Sequence, residues 1–453
     1  MSVFIEMTHK EYEDFVRERV SDAVDKSPAD DTEILVGSTR NALTRFANNQ
    51  IHQNHHEENA EITVRCAVGQ RWGSVTVNSL DAAVLTRAIE DARAIARLLP
   101  DDPEFLPSAE GPYSYAFKPE FGDGTANCSP SRRAIVVRQG LEKAPDGYEA
   151  AGTLSTGVNT FGVFSARGMS AIASATTANY SILLTGATSS GYAEGAARRL
   201  REIDVPALAE EAARKAKLGE NPRTDVPQGR YTVILEEEAV ATWLMFFSWT
   251  GFGGKEYNDG ESFLAGKLGE KVTGDRITII DDAFDPRTYG FPFDFEGMPK
   301  QRLVIIENGV ARAIAHSRDT CRKASTLPTG HCVGTWGAYP VNMLMTPGDI
   351  SKDDMIAATE RGILVSRFHY SNIVDPMKTV FTGLTRDGTF LIENGQIVSG
   401  LTNFRWTQNA LESLAKADMI SKETRFNSSF FGGGAVVPAI RTHDFHFSGK
   451  SDH

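Results

Sequence analysis

The sequence predicts an α+β protein: an N-terminal α/β domain with an antiparallel sheet flanked by helices, plus a large β-rich C-terminal domain. Two patterns carry this prediction. Near the amino end, two segments with apolar residues at helical spacing enclose segments in which apolar and polar residues alternate. Beyond residue 218, strand and turn patterns predominate. The length of 453 residues is enough for two or three domains with sizeable cores.

Two helices bound the first of these domains. A capping box of Thr8 and Glu11 predicts a helix at 9–26, whose apolar residues recur on one face. The second helix, at 81–99, follows Ser79 as its expected N-cap and has a similar apolar stripe. Because each helix has one apolar face, both are expected to pack on the sheet that lies between them in sequence.

The sheet is predicted from four short segments. In one of them Ile62, Val64 and Cys66 alternate with polar residues, which is typical of a strand with one buried face. Gly69-Gln70 then predicts a hairpin into the next segment. The four expected strands are 33–36, 43–47, 62–68 and 72–77.

The rest of the chain divides by composition. Five prolines and no sustained apolar period make residues 100–129 an expected connector. Helices are then predicted at 130–143 and 205–218, with strands between 148 and 192. The predicted plan is an N-terminal domain at 1–99, a connector at 100–129, a middle region at 130–226 and the β-rich domain at 227–453.

Two segments of the last domain, 304–309 and 390–395, share a hairpin signature. Each is an apolar strand that ends in Asn-Gly, the dipeptide that best tolerates the positive φ angles of a tight hairpin. Six matching residues are too few to define an internal repeat. They do favour a large domain built from hairpins.

The composition excludes several classes of protein. An apolar fraction of 41% is that of a folded chain, and a net charge of −12 repels phosphate backbones, so nucleic acid is not an expected partner. The four cysteines form no C-x-x-C pair, which suits reduced thiols. Charged residues follow the amino terminus closely, and the most apolar segment, 239–250, is too short to span a bilayer. A cytoplasmic protein with no membrane partner is therefore expected.

The segment 239–250 is also the most informative for function. It follows a strand at 231–235 and the three residues Glu236-Glu237-Glu238, and its pattern predicts an apolar helix that ends in a glycine-rich turn. It contains no histidine. Its aromatic-rich carboxyl half offers no good zinc ligand, because zinc prefers cysteine, histidine and carboxylate side chains.

Blocks of sequence along most of the chain resemble the TldD/PmbA (TldE) metallopeptidase family. The stretch 386–395, Arg-Asp-Gly-Thr-Phe-Leu-Ile-Glu-Asn-Gly, is the most similar. No single block is diagnostic, so the resemblance rests on their common order. The blocks are 44–53, 263–270, 293–297, 324–331, 342–348, 360–365 and 386–395.

The resemblance implies a heterodimeric zinc metallopeptidase that cleaves unfolded or flexible peptides, including peptide precursors. In the family's TldD branch the helix at 239–250 carries H-E-x-x-x-H, in which two histidines hold zinc and the glutamate is the base, and a cysteine lies late in the chain. This sequence has neither that motif nor a cysteine after Cys332. It is therefore similar to the TldE branch, the non-catalytic subunit, which implies no metal or catalytic residue in this chain, zinc in a TldD-like partner, and no activity without that partner.

Two alternatives stay open. The chain could be a self-sufficient homodimeric hydrolase with an unorthodox site, or a gyrase-related modulator or interaction protein, a label that the family has carried. A neighbouring gene for a protein with H-E-x-x-x-H would favour the heterodimer.

Other clusters of reactive side chains have ordinary interpretations. His52, His55 and His56 lack the second histidine of an H-E-x-x-H motif and are interpreted as solvated surface. Cys332 follows His331 directly, and adjacent side chains of an extended chain point apart, which disfavours a thiol nucleophile. A group of acidic residues matches no calcium loop and is interpreted as turn caps. Its members are Asp281, Asp282, Asp285, Asp294 and Glu296.

One loop is a candidate for substrate contact. Its small side chains would let a peptide backbone approach closely. An ordinary turn is the alternative interpretation. The candidate peptide-binding residues are Ser325, Thr326, Gly330 and His331.

Overall fold

The computed structural model describes residues 7–428 and 433–451, and the fold class is α+β, as predicted. Two sheets, one in each half of the chain, form its frame. The first six residues, where no secretory pattern is expected, lie outside the described ranges. Within those ranges, no helix is both long and apolar enough to cross a membrane.

The first sheet is antiparallel and has six strands in the described part of the chain. They are β1 (Asp31–Ala47), β2 (Gln50–Ala67), β3 (Trp72–Val77), β4 (Glu149–Ser165), β5 (Ser170–Thr185) and β6 (Ser190–Ala197). Their order is β3-β2-β1-β4-β5-β6. Residues 1–99 and 130–226 therefore contribute strands to a single sheet, although the domain boundaries predicted from the sequence place them in separate regions.

Strand β1 shows why the predicted strands are too short. The prediction of separate strands at 33–36 and 43–47 is wrong, since β1 runs without a break through the polar residues between them. It pairs with β2 on one side and β4 on the other, so its backbone groups are hydrogen-bonded whatever the side-chain pattern. Asn48 and Asn49, with φ of 50° and 60°, then turn β1 into β2.

The helices of the first half are α1 (His9–Asp25), α2 (Ala82–Leu98), α3 (Asp123–Ala126), α4 (Pro130–Leu141) and α5 (Val205–Leu218). Both hydrogen bonds of the Thr8–Glu11 capping box are present at α1. The prediction of Ser79 as the cap of α2 is wrong. The N-cap is Asp81, whose backbone is extended, and the Ser79 hydroxyl accepts the Asp81 N–H at 3.2 Å, two residues short of the helix.

The second sheet is mixed, and its order is best seen from its last strand. The strands are β7 (Gly229–Leu235), β8 (Ile279–Asp281), β9 (Leu303–Glu307), β10 (Val310–Ala311), β11 (Asn342–Met345), β12 (Arg361–Asp375), β13 (Val380–Glu393), β14 (Gln396–Gly400), β15 (Phe404–Asn409), β16 (Met419–Ser428) and β17 (Gly434–Lys450). The main path is β10-β9-β8-β11-β17-β15-β13-β12-β7. Strand β17 pairs with β7, β11, β15 and β16, and so joins the parts of the sheet.

One helix is enclosed by this sheet. The helices of the second half are α6 (Glu237–Gly251), α7 (Gly254–Asn258), α8 (Arg318–Ala324), α9 (Lys352–Ala357) and α10 (Ala410–Ala415). In α6, Trp243 is fully buried and stacks on Phe445, with ring centroids 6.1 Å apart and planes 16° apart. The predicted apolar helix is thus a core helix, which explains why apolar residues surround most of its circumference.

Both Asn-Gly hairpins are confirmed. Asn308 and Gly309 connect β9 to β10 with φ of 48° and 79°, and Asn394 and Gly395 connect β13 to β14 with φ of 51° and 76°. The left-handed region is open to asparagine and glycine, so the dipeptide forms the turn without severe strain.

The segment 100–129 lies against both halves of the molecule. The backbone N–H and the hydroxyl of Ser108 donate to the Asp31 carboxylate at 2.8 Å each. The hydroxyl of Tyr115 donates to the carbonyl of Gly297 at 2.9 Å. These contacts fix a loop of the second half beside the first sheet.

Candidate functional site

The site is built around the junction between β7 and α6. Strand β7 lies between β12 and β17, so its carboxyl end is held on both sides. Glu236 is the extended N-cap of α6, and Glu237 and Glu238 occupy the first turn. Unpaired backbone N–H groups give that turn a partial positive charge, which favours carboxylates there.

A buried ion cluster underlies the junction. Lys215 of α5 lies 2.9 Å from both Glu236 and Glu211, and Lys352 contacts Glu236 at 3.2 Å and Glu237 at 3.0 Å. Burial would raise the pKa of Glu236, but Lys215 and Lys352 hold it well below its ordinary value. Glu236 is therefore a fixed anion and is unsuited to proton transfer.

Beside this cluster, one face of α6 lines a cavity of about 270 Å³. Glu238, Thr242, Met245 and Trp249 recur on that face at helical spacing. Strands β6, β12 and β16 form much of the opposite wall. Their contribution is Tyr192, Glu194, Arg367, Phe368, Asn427 and Ser428. We call this space the α6 cavity.

Two acceptor atoms of the α6 cavity are unsatisfied. Oε1 of Glu238 and Oδ1 of Asn427 are buried and have no hydrogen-bond partner within the described ranges. Asn427 is only 6% exposed, and its amide nitrogen donates to the carbonyl of Arg425 at 3.2 Å, which points the oxygen elsewhere. Buried acceptors are normally paired, so these two atoms mark a place where a donor is missing.

The other polar groups of the cavity are already engaged. The hydroxyl of Tyr192 donates to Glu194 Oε2 at 2.6 Å. The guanidinium of Arg367 donates through Nε to Asp387 at 2.8 Å and lies 4.0 Å from the ring centroid of Tyr192. The positive charge of Arg367 is therefore balanced by Asp387, and it adds little attraction for an anion in the cavity.

Glu238 differs from its neighbour Glu236 in its protonation. Burial raises its pKa to about 8, and the Glu194 carboxylate adds to the rise. Lys215, Arg367 and Arg425 act in the opposite direction but do not outweigh burial. Near neutral pH, Glu238 therefore holds a proton for much of the time.

The residues of α6 do not fit a zinc ion. Between 239 and 250, where the family resemblance places H-E-x-x-x-H, α6 has no histidine, cysteine or carboxylate. The face that lines the cavity offers Glu238, just before that segment, and Thr242. A threonine is a poor zinc ligand, and Glu237 is bound to Lys352. Across residues 7–428 and 433–451, no three His, Cys, Asp or Glu side chains are grouped so as to hold a metal.

The signal from which the site could have been found is the run of three glutamates directly before an apolar helix. The sequence distinguishes Glu238 only as the last of these three glutamates. Glu194, Arg367 and Asn427 were missed, because they lie on three strands that are far apart in the chain and are brought to α6 only by the fold.

The four predicted peptide-binding residues lie elsewhere and do not form one surface. Ser325 and Thr326 are exposed after α8, where Ser325 is left-handed with φ of 53°. Gly330 and His331 are buried; His331 is 0% exposed and lies 3.1 Å from Asp281 and 2.9 Å from Thr329. None of the four lines the α6 cavity.

The acidic residues near this loop act largely as turn caps, as interpreted from sequence. Asp282 and Asp285 each accept the backbone N–H two residues later, and Asp294 accepts those of Glu296 and Met298. The exceptions are Asp281, which accepts the N–H of Asn342 at 2.7 Å, and Glu296, which accepts the N–H of Arg318. Burial and Asp294 raise the pKa of Glu296 to about 7.

Neither the histidines of β2 nor Cys332 has the surroundings that a catalytic or metal-binding group needs. His52, His55 and His56 are on β2, where His55 and His56 are exposed and face only glutamates. Burial raises the pKa of the Cys332 thiol well above its ordinary value, which is the opposite of what a thiolate nucleophile needs.

A wider cleft, of about 1,630 Å³, opens between the first sheet and the loops of the second half. Glu33, Arg65 and Trp72 line it on one side, and Glu296 and Trp336 on the other. Trp336 is 78% exposed, so an aromatic surface faces solvent there. The cleft has about six times the volume of the α6 cavity, which has room for a single side chain or chain end.

Two protein-family models match this chain, and its fold agrees with the class of protein that they describe. Residues 228–449 match the model described as "PmbA/TldA metallopeptidase C-terminal domain", and residues 32–96 match "PmbA/TldA metallopeptidase domain 1". The class is thus a two-sheet α+β protein of metallopeptidase type. The chain belongs to the TldD/PmbA metallopeptidase family.

Relatives and a solved structure are consistent with this assignment. The chain is 29% identical over 217 residues to a metalloprotease of Methanothermobacter thermautotrophicus, covering 47% of each protein, and 26% identical over 236 residues to a TldD homolog of Buchnera aphidicola, covering 50% of this chain and 48% of that protein. The match thus spans about half the length of these curated relatives. The crystal structure of TldE from Thermococcus kodakarensis superposes with a TM-score of 0.87 at 23% identity, covering 96% of this chain and all of that one, which shows a shared fold.

Proposed function

We propose that this chain is the non-catalytic, TldE-like subunit of a heterodimeric zinc metallopeptidase that cleaves unfolded or flexible peptides in the cytoplasm. The observation that carries the proposal is the chemistry of α6. Between 239 and 250, where the catalytic branch would carry H-E-x-x-x-H, this chain has no histidine, and Glu237 just before that segment is bound to a lysine. The shared fold with a TldE protein supports it.

In this proposal the metal chemistry belongs to a TldD-like partner with an intact H-E-x-x-x-H motif. This chain contributes walls and contacts to the substrate. The wide cleft supports this role, because its lining includes exposed aromatic rings that can contact a flexible peptide. All four cysteines are unpaired and buried, which suits a reducing compartment.

The test is to measure zinc content and hydrolysis of flexible peptides for three preparations: this chain alone, the TldD-like protein alone, and the two co-expressed. We expect a stable complex whose zinc and activity depend on the partner's motif. The control is the complex in which the partner's motif glutamate is replaced by glutamine, which should bind zinc and cleave nothing.

The opposite result would favour the homodimeric alternative. Stoichiometric zinc together with chelator-sensitive cleavage by this chain alone would contradict the subunit proposal. So would failure of the two chains to associate.

A further inference from the structure

We propose that the α6 cavity binds an ammonium group of a peptide, either the free α-amino terminus or a lysine side chain. The choice of a peptide as the carrier rests on the proposed function. The choice of an ammonium group rests on the cavity alone, and it assigns a ligand to the face of α6 that lines the cavity.

The first argument is the deficit of donors. Glu238 Oε1 and Asn427 Oδ1 are both acceptors, both are buried, and both lack partners within the described ranges. An unpaired buried acceptor is unfavourable until a donor reaches it. A ligand with several N–H groups at one end can donate to more than one acceptor of the lining, and an ammonium group has three.

The second argument is the balance of charge. The basic residues around the cavity each face a carboxylate already: Arg367 faces Asp387, Arg425 faces Glu211, and Lys215 faces Glu236. These pairs leave the carboxyl groups of Glu238 and Glu194 in surplus. Glu238 holds a proton for much of the time in the empty cavity, and an ammonium group beside it favours the ionised form, so a cation is attracted. An anion such as a peptide carboxylate meets acidic groups that no cation in the described part of the chain balances.

The third argument is shape. Met245, Trp249 and Phe368 give the cavity an apolar wall, and its polar acceptors lie on the same lining. A lysine side chain, or the first residue of a peptide, has the matching form of an apolar stem with a charged end. The volume of about 270 Å³ is below the usual range of pockets for larger ligands, about 300–1,000 Å³, so a single residue suits it best.

The experiment is calorimetric titration of the purified chain, without a partner, with four short peptides. One is trialanine amide with a free amino terminus, and the second is its N-acetylated form. The third is an N-acetylated peptide with a central lysine, and the fourth replaces that lysine with norleucine. We expect the first or the third peptide to bind at least about tenfold more tightly than its neutral counterpart, and the stronger of the two identifies the source of the ammonium group.

Two substitutions test the position of the ligand. Glu238→Gln should reduce the affinity for the ammonium peptide about tenfold or more, whereas Glu90→Gln, at an exposed position of α2, should leave it unchanged. Met245→Lys places the protein's own ammonium group in the cavity and should abolish binding, and Met245→Gln, similar in length but neutral, should retain it.

The inference would be overturned if free and acetylated peptides bind equally, if no peptide binds, or if Glu238→Gln binds as well as the unchanged chain. These outcomes are separate from the test of the proposed function. Binding is measured without a partner and without hydrolysis, so a complex that fails to cleave peptides would contradict the subunit proposal and leave the ammonium site standing.

Discussion

Glu238 is held in a position that costs the folded chain stability. Its Oε1 is buried and has no hydrogen-bond partner in the part of the chain that the structure describes, and burial raises the pKa of the carboxyl group to about 8. The charged groups around it are Lys215 on α5, Glu194 on β6, Arg367 on β12 and Arg425 on β16. Groups that destabilise a protein tend to be kept where they serve binding or catalysis, which fits a role in the α6 cavity.

The first prediction follows from the sign of this pKa shift. Because the pKa in the folded chain is above that in the unfolded chain, stability is lost as pH rises toward about 8. Glu238→Gln is always neutral and should escape this loss. We expect its free energy of unfolding at pH 9 to exceed that of the unchanged chain by about 2 kcal/mol, with no difference near pH 4.5.

The measurement is urea denaturation at both pH values. Glu90→Gln, at an exposed position, is the matched control and should show no pH-dependent difference. A change in Glu238→Gln that is the same at pH 4.5 and pH 9 would show that the carboxyl group titrates normally.

At this scale the sequence predicts the chemistry of single residues better than their grouping. The lack of zinc ligands in α6 can be read directly from Trp243 to Trp249, and the turn-capping role of Asp282 and Asp285 from their neighbours. The grouping of Glu238 with Asn427 cannot, because it depends on β16 passing beside α6. The peptide-binding assignment of Ser325, Thr326, Gly330 and His331 stays a prediction.

Among the elements, the Asn-Gly hairpins show how a local signal can fix structure. In the hairpin that follows β13, Gly395 has φ of 76°, and a Cβ built there would lie 2.5 Å from the carbonyl oxygen of Ala357. The turn therefore needs glycine for two reasons, its conformation and its close approach to the end of α9.

Gly395→Ala should destabilise the chain by about 2 kcal/mol or more, since backbone strain and a backbone clash both contribute. Gly269→Ala is the control: its φ is 86°, but nothing lies within 4 Å of the added Cβ, so only about 1 kcal/mol is expected. Urea denaturation of both variants checks the difference. Equal losses would mean that the approach to Ala357 relaxes at no cost.

The long strands could not be predicted in the same way. Residues between 36 and 43 are mostly small or polar and give no alternating apolar pattern. They remain in β1 because β2 and β4 pair with them on either side, and β4 begins more than 100 residues later. Pairing between distant segments is a property of the fold and leaves no local mark in the sequence.

On the scale of the whole molecule, one buried ion cluster connects the two halves. Lys215 is on α5, which packs against the first sheet, whereas Glu236 begins α6 and Arg425 is on β16 of the second sheet. Glu211 contacts both Lys215 and Arg425, at 2.9 and 2.6 Å. The first half is therefore fixed to the second at the point where the α6 cavity lies.

Lys215→Met should destabilise the chain by about 3–5 kcal/mol, because it leaves Glu236 and Glu211 buried with too few cations. Lys217→Met, at an exposed position of the same helix, should change stability by less than about 0.5 kcal/mol. Thermal and urea unfolding check both variants. A loss of under about 1 kcal/mol for Lys215→Met would show that Lys352 and Arg425 are sufficient for the cluster.

The central place of β17 has a consequence for how the molecule is made. Strands β1 to β6 are complete by residue 197, so the first sheet can form while the rest of the chain is still being synthesised. The second sheet cannot, since β7 and β11 both pair with β17, which begins about 200 residues after β7 ends and about 90 residues after β11 ends. Until β17 leaves the ribosome, the aromatic side chains of α6 lack the completed sheet that buries them, so we expect the nascent chain to be most prone to aggregation in this interval.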